Sequence, residues 1–264
     1  MSLHDRRPQA PTREPLFKSL PPALHRALRW RLLFLAVALG SVLLLSLLSR
    51  AHASGGAYRV DDAAINSPGE CNLDAWHQRD RHQGNHYQSV LSPACTFIGL
   101  PEVQVQLGTA LAREGEAGER HTRLSPELKT LLASSEELGL ALALALSADV
   151  YLDRRHGFEG GGINLPLTYQ PAEPLRLNAG LGYSHAYADG DRNNRWNWGM
   201  GLEYGVGEPL TLIAERFCEA DGERGWQAGP RLHLGERLDI DLVFGGHLNG
   251  ERQRWLGSGA TLRF

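Results

Sequence analysis

From Pro101 onward, apolar residues recur at every second position in segments of about ten, the period of strands and not of helices. Val103, Val105, Leu107, Thr109 and Leu111 alternate with Glu102, Gln104, Gln106, Gly108 and Ala110. Leu124, Pro126, Leu128 and Leu132 alternate with Ser125, Glu127 and Lys129, and a leucine comb from Leu138 to Leu152 has Ala141, Ala143, Ala145, Ser147 and Asp149 on its opposite face. The pattern returns at Ile163 to Tyr169, Leu175 to Tyr183 and Trp196 to Val206, then around Leu212, around Leu232 and Leu234, and from Ile240 to Phe244. In the final stretch, WLGSGATLRF, Leu256, Ser258, Ala260, Leu262 and Phe264 share one face, with Gly257, Gly259, Thr261 and Arg263 on the other. Ten strands are predicted on this count. The segment from 210 to 219 is the least regular, because Ile213 and Phe217 share a face with Glu215.

Three short connections resemble one another: Ala172-Glu173-Pro174-Leu175, Gly207-Glu208-Pro209-Leu210 and Gly235-Glu236-Arg237-Leu238. The connections that alternate with them, near His156, Asp189, Asp221 and Glu251, are longer and strongly charged. Beyond residue 53, no stretch reaches the ~18 uninterrupted apolar residues of a membrane-crossing helix. Alternating segments can cross hydrocarbon only as a closed barrel, where no backbone group is left at an open edge. The fold expected is therefore all-β, a transmembrane antiparallel up-and-down β-barrel with its short turns in the periplasm. Tyr169, Tyr183, Tyr187, Trp196, Trp198, Tyr204, Trp226 and Trp255 fall near predicted strand ends, where amphipathic rings favour the membrane interface.

The first 53 residues read differently. Arg26, Arg29 and Arg31 precede an apolar run from Leu32 to Leu48, which Ala51-His52-Ala53 follows. Basic, apolar, then small-x-small is the order of a secretory signal peptide cleaved after Ala53, although the run is long enough to stay as an anchor. The expected organisation is a leader over 1–53, a polar periplasmic segment over 54–70 that could instead plug the barrel mouth, and a barrel over 71–264. Cys71 and Cys95 are equidistant from a turn at Gln83, beside Gly84-Asn85, so they can face each other across antiparallel strands. In an exported chain that predicts a disulfide, and the hairpin would bring the strands to twelve. Cys218 reads as a small filler on a strand.

The C-terminal stretch carries a resemblance. Ser258-Gly259-x-x-Leu262-x-Phe264 resembles the C-terminal signal of bacterial outer-membrane barrels, which implies recognition by the barrel-assembly machinery. With the Val60 to Cys71 opening (VDDA-x-I-x-x-PG-x-C) and the Ser92-Pro93-Ala94-Cys95 box, the exported portion resembles small proteobacterial outer-membrane proteins of uncharacterised function. It is more remotely similar to the outer-membrane family named after a phenol-degradation pathway, whose members are presumed to help small hydrophobic or aromatic compounds across the membrane. These resemblances imply the outer membrane of a Gram-negative bacterium, with lipid and lipopolysaccharide as surroundings.

The face opposite the apolar stripe is the lumen. On this register Glu102, Gln104, Gln106, Glu127, Lys129, Asp149, Asn164, Thr168, Arg176, Asn178, Asn197, Glu203, Glu215, Gln227, Arg231, His233, Asp239, Asp241, His247 and Arg263 point inward. They can form a closed network of ion pairs and hydrogen bonds or line a water-filled path with an acidic bias. The first reading makes a plugged structural or adhesin-like barrel; the second, which is preferred, makes a channel or facilitator for small solutes.

Nucleic acid is excluded as a partner, since residues 54–264 hold 19 Lys and Arg against 28 Asp and Glu and phosphate binding needs a concentrated basic surface. Arg79-Asp80-Arg81 and Arg192 to Arg195 could meet lipopolysaccharide phosphates. A barrel enzyme would draw on His156, Ser184, His185 and Asp189, but Ser184 and His185 are strand neighbours facing opposite sides. His77, His82 and His86 crowd the first hairpin without a cysteine or carboxylate at ligand spacing. No catalytic set, metal or cofactor is expected.

Overall fold

The computed structural model describes residues 56–80, 86–114, 119–153, 157–188, 191–219, 222–249 and 253–264. The leader, the Gly84-Asn85 turn with His82, and also His156 and Asp189, lie outside them. Twelve antiparallel strands close on themselves in sequence order: β1 (Cys71–Asp80), β2 (Tyr87–Thr96), β3 (Val103–Glu114), β4 (Glu119–Ser135), β5 (Leu140–Tyr151), β6 (Phe158–Ala172), β7 (Leu175–Ala188), β8 (Asp191–Gly207), β9 (Leu210–Cys218), β10 (Arg224–Leu234), β11 (Leu238–His247) and β12 (Arg254–Arg263). The cysteine hairpin is thus part of the wall. β12 pairs with β1 along its whole length, from Asn72 opposite Arg263 to Asp80 opposite Trp255. Cys71 and Phe264 exchange both backbone hydrogen bonds, each 2.9 Å, so no edge strand remains.

One end of the barrel, here the terminal end, carries Glu70, Phe264 and the short connections 97–102, 136–139, 173–174, 208–209 and 235–237. Tight turns there use glycine where the backbone requires it. Gly139 has φ +61°, and a Cβ at that position would lie 2.2 Å from the Gln170 carbonyl oxygen, which leaves no room for a side chain.

Period two fixes which residues face out. Leu107, Leu128, Leu146, Leu165, Leu181, Leu202, Leu212, Leu232, Leu242 and Leu256 are all exposed on the outer surface, forming the apolar belt of a transmembrane barrel. Cys71 and Cys95 sit directly opposite each other on β1 and β2, with Cα atoms 4.1 Å apart, and form a disulfide.

Two positions depart from the sequence reading. Glu102 lies in the turn ahead of β3 and is exposed, because that strand begins one residue later. Trp255 is not an interface residue: it points inward, 3% exposed, against Phe217.

Candidate functional site

The lumen is built from two unlike halves, and the chain ahead of β1 separates them. Residues 56–66 lie inside the barrel, as the plugging alternative has it. From the terminal end, the Asn66 amide N–H donates to Gln104 (2.8 Å) and its side-chain amide donates to Asn72 (2.6 Å). Further in, the Ala63 N–H donates to Thr168 (2.9 Å), while Asp62 accepts from Arg176 (3.0 Å) and Asp61 from Lys129 (2.7 Å). The N–H groups of Arg59 and Val60 both donate to the Glu215 carboxylate, at 2.9 and 3.1 Å. Arg59 marks the apex, where its guanidinium meets Glu219 and lies over the rings of Phe217 and Trp255. The chain then returns, with the Tyr58 hydroxyl donating to the Gly229 carbonyl and Gln227 donating to the Ala57 carbonyl. Gly56 ends beside Asp241 and Thr261.

Wall glycines make room for this re-entrant segment. A Cβ on Gly199 would come 2.8 Å from Val60, and one on Gly259 would come 3.3 Å from Ala57. A peptide that buries its backbone in a lumen needs wall partners for its N–H groups, and Glu215, Thr168 and Gln104 supply them. Its apolar residues need cover too. Ile213 and Phe217, irregular by sequence, turn inward for that reason, and Val60, Phe217 and Trp255 form a small buried apolar cluster.

Around the segment, β9 to β12 and the neighbouring inner face are filled by paired polar groups. Arg231 makes a two-pronged bond to Asp241, 2.7 and 2.9 Å, with both residues 1% exposed. Asp239 accepts from Arg263 and pairs with His233 at 2.7 Å. Gln227 donates to Glu215 (2.7 Å), Asn178 to Glu203 (2.5 Å) and Thr261 to Asp74 (2.6 Å). Each of these buried charges or amides meets a partner, as a low-dielectric interior demands.

The other half, lined by β2 to β7, stays open. Many of its inward residues are small or neutral, Ser92, Gly108, Ala110, Ser125, Ser147, Gly162 and Ser184, with Gln104, Gln106, Asn164 and, on β8, Asn197 between them; its charged ones include Arg123, Glu127 and Lys129. They surround a cavity of about 510 Å³ that also reaches Asn72 and Arg263 near the terminal end and Arg123 toward the far end. A second cavity of about 230 Å³ shares Arg59, Val60, Asp61, Asn164 and Asn197 with the first and reaches Cys218 and Glu219 at the tip of β9. Of the inward residues read from sequence, Gln104, Lys129, Arg176, Glu203, Glu215, Arg231, Asp239, Asp241 and Gln227 are buried inside, Glu127 and Asn164 line the cavity, and Asp149 accepts from Ser125 at 2.6 Å. Sequence reasoning left Tyr58, Arg59 and Val60 out of the site. A signal for them existed in the inward glycines Gly199, Gly201, Gly257 and Gly259, which leave space that something must fill.

Ser184 and His185 do face opposite sides, Ser184 accepting from Asn197 inside the barrel and His185 meeting Asn194 on the outer face. Of the C-terminal residues, Leu262 and Phe264 are exposed on the outside at the terminal end, and Ser258 and Gly259 precede them on β12.

Solved outer-membrane barrels of similar fold include the following three. The COG4313 outer membrane channel from Pseudomonas putida F1 matches at a TM-score of 0.58 with 10% identity, over 81% of this chain and 100% of that one. The KdgM porin matches at 0.56 with 9% identity, over 73% and 99%. Outer membrane phospholipase A from Escherichia coli matches at 0.51 with 12% identity, over 74% and 93%. At such identities the likeness is one of fold. No curated protein matches the chain. Residues 42–264 match the family described as "Uncharacterised conserved protein UCP029691", and the chain belongs to that family.

Proposed function

We propose that this chain is an outer-membrane β-barrel of a Gram-negative bacterium that passes small polar solutes through the unfilled half of its lumen. The observation that supports it is the polar cavity beside the re-entrant segment, which runs from Asn72 and Arg263 toward Arg123, Ser184 and Asn197 and adjoins a second cavity reaching Glu219. Water in such a conduit can replace a solute's hydration partners with amides and hydroxyls at little cost. The lining argues against the aromatic compounds presumed for the phenol-degradation family, because among some thirty residues its rings are those of Tyr58 and Trp76, and the Tyr58 hydroxyl is already bonded to the Gly229 carbonyl. The solved barrels of similar fold include channels and a phospholipase. Among the described residues the hydroxyl–imidazole contacts, Ser89 with the exposed His77 and Thr211 with His233 beside Asp239, lie off both cavities, which favours passage over catalysis in the conduit.

In this setting the short connections and Phe264 face the periplasm, and the strand ends near Arg79 and Arg195 face lipopolysaccharide. Ser258, Gly259, Leu262 and Phe264 serve as the signal for the assembly machinery, with Leu262 and Phe264 accessible on the outer face. The competing reading, a plugged barrel without transport, draws on the bonds that tie residues 57–66 to Gln104, Thr168, Lys129, Arg176 and Glu215.

Single-channel recording of the folded barrel in a planar bilayer separates the two. The channel reading expects steady steps that grow when residues 56–66 are deleted. Closed wild-type barrels that conduct only after that deletion would establish the plugged reading instead.

A further inference from the structure

Gln106, Glu127, Ser147 and Asn164 stand on four consecutive strands, β3 to β6, and all line the larger cavity. Gln106 is directly opposite Glu127, and Glu127 directly opposite Ser147; Asn164 is one row away, opposite Ala145. Gly162, opposite Ser147, carries no side chain to fill the space in front of them. None of the four side chains has a hydrogen-bond partner among the described residues, whereas the polar groups of β9 to β12 are almost all paired. Ser92, on the same cavity, is 5% exposed with a hydroxyl that has no partner. A half-exposed lumen wall that turns this many open donors and acceptors toward one cavity is arranged for something that enters.

The charges decide its chemistry. Each cationic side chain lining the cavity already faces a carboxylate: Lys129 faces Asp61, Arg59 Glu219, Arg123 Asp149 and Arg263 Asp239. Glu127 makes no ion pair among the described residues: Lys129, the cation two residues along the same strand, bonds Asp61, and Asp74 is held by the neutral Thr261 and Asn72. An anionic solute would meet carboxylates without a free cation. A cationic one would meet Glu127, with amides and a hydroxyl around it for its other polar groups.

We propose that Glu127, with Gln106, Ser147 and Asn164, forms a binding station for a small organic cation, a protonated amine that also bears hydroxyl or amide groups. Glu127 takes the ammonium by a charge-assisted hydrogen bond, and the three neutral side chains orient the remainder. As the solute class of the conduit this rests on the channel reading, but binding can be measured without conduction.

Calorimetric titration of the folded full chain in detergent micelles would use ethanolamine, with glycerol and glycolate as neutral and anionic probes of similar size. Ethanolamine is expected to bind best, and Glu127→Gln to weaken it about tenfold while leaving the glycerol response unchanged. Ser147→Leu, which fills the space without touching the charge, is expected to weaken ethanolamine and glycerol alike. Glycerol binding as tightly as ethanolamine, or Glu127→Gln binding ethanolamine like the wild type, would overturn the proposal. Wild-type barrels that bind ethanolamine but never conduct would keep the station and remove the channel.

Discussion

The two halves of the lumen are made by the same period-two strands, yet one is packed and the other is not. On β9 to β12 the inward positions hold Glu215, Phe217, Gln227, Arg231, Asp239, Asp241 and Trp255, long or bulky side chains that pair with each other and with residues 57–60. On β3 to β7 Lys129 and Arg176 are tied to Asp61 and Asp62, but the positions around the cavity hold Gly108, Ser125, Ser147, Gly162 and Ser184. The backbone does not choose between core and conduit. Side-chain volume and the availability of partners do, because a large buried charge must be paired and a small hydroxyl can be left to water.

Substitutions placed in one half and then in the other should therefore give unlike results. The largest effect is expected for Asp241→Ala, which leaves the Arg231 guanidinium buried without its carboxylate; such losses cost about 3–5 kcal/mol, read by urea unfolding of the detergent-folded barrel. Asn164→Ala in the open half should stay within about 0.5 kcal/mol, and a loss as large as that of Asp241→Ala would show that the open half is packed after all. Replacing both Cys71 and Cys95 with Ser belongs to neither half and should cost about 3 kcal/mol through the loop it opens in the unfolded chain. Alkylation with and without reductant, followed by mass measurement, checks that the bond is present.

Glycine substitutions sharpen the contrast. Gly199→Val would push a side chain onto Val60 and should cost about 1–3 kcal/mol by overpacking, while raising conductance as the segment is displaced. Gly162→Val meets the hydroxyls of Ser147 and Ser184, each 3.3 Å from its Cβ, and the Tyr183 carbonyl at an ordinary 3.6 Å. It should reduce conductance with little loss of stability. Equal changes of one sign in both variants would remove the distinction between the halves. A smaller effect is expected for Gln104→Ala, which removes the acceptor for the Asn66 N–H and should cost about 1 kcal/mol, seen as faster proteolysis of the segment.

The wall was legible in the sequence because lipid imposes one rule on it. Leu138 to Leu152 alternates so regularly that its outward face could be assigned residue by residue, and β12 follows the same rule. The inside obeys no such rule. Ile213 and Phe217 break the pattern in β9 because they share a face with Glu215, and they make sense only once Val60 is known to lie beside them. The stretch from Tyr58 to Asn66 has no periodicity of its own. Its conformation is set by wall groups as far away in sequence as Glu215 and Gln227, and no local pattern encodes such contacts. Trp255 misled for a related reason: an aromatic near a strand end suits the membrane interface, but its odd position in β12 puts it on the inner face with Arg263.

The seam between β1 and β12 brings the first and last residues of the wall together, Cys71 hydrogen-bonded to Phe264. The re-entrant segment immediately precedes that seam. It is therefore translated before any strand of the barrel, yet it can be enclosed only when the last strand pairs with the first. Its wall partners on β9 and β10 exist only once most of the sheet has formed, so the occupant of the lumen must wait in an unsatisfied state while its container is completed. Burial of the segment cannot precede closure of the sheet, so the order of synthesis is the reverse of the order of enclosure.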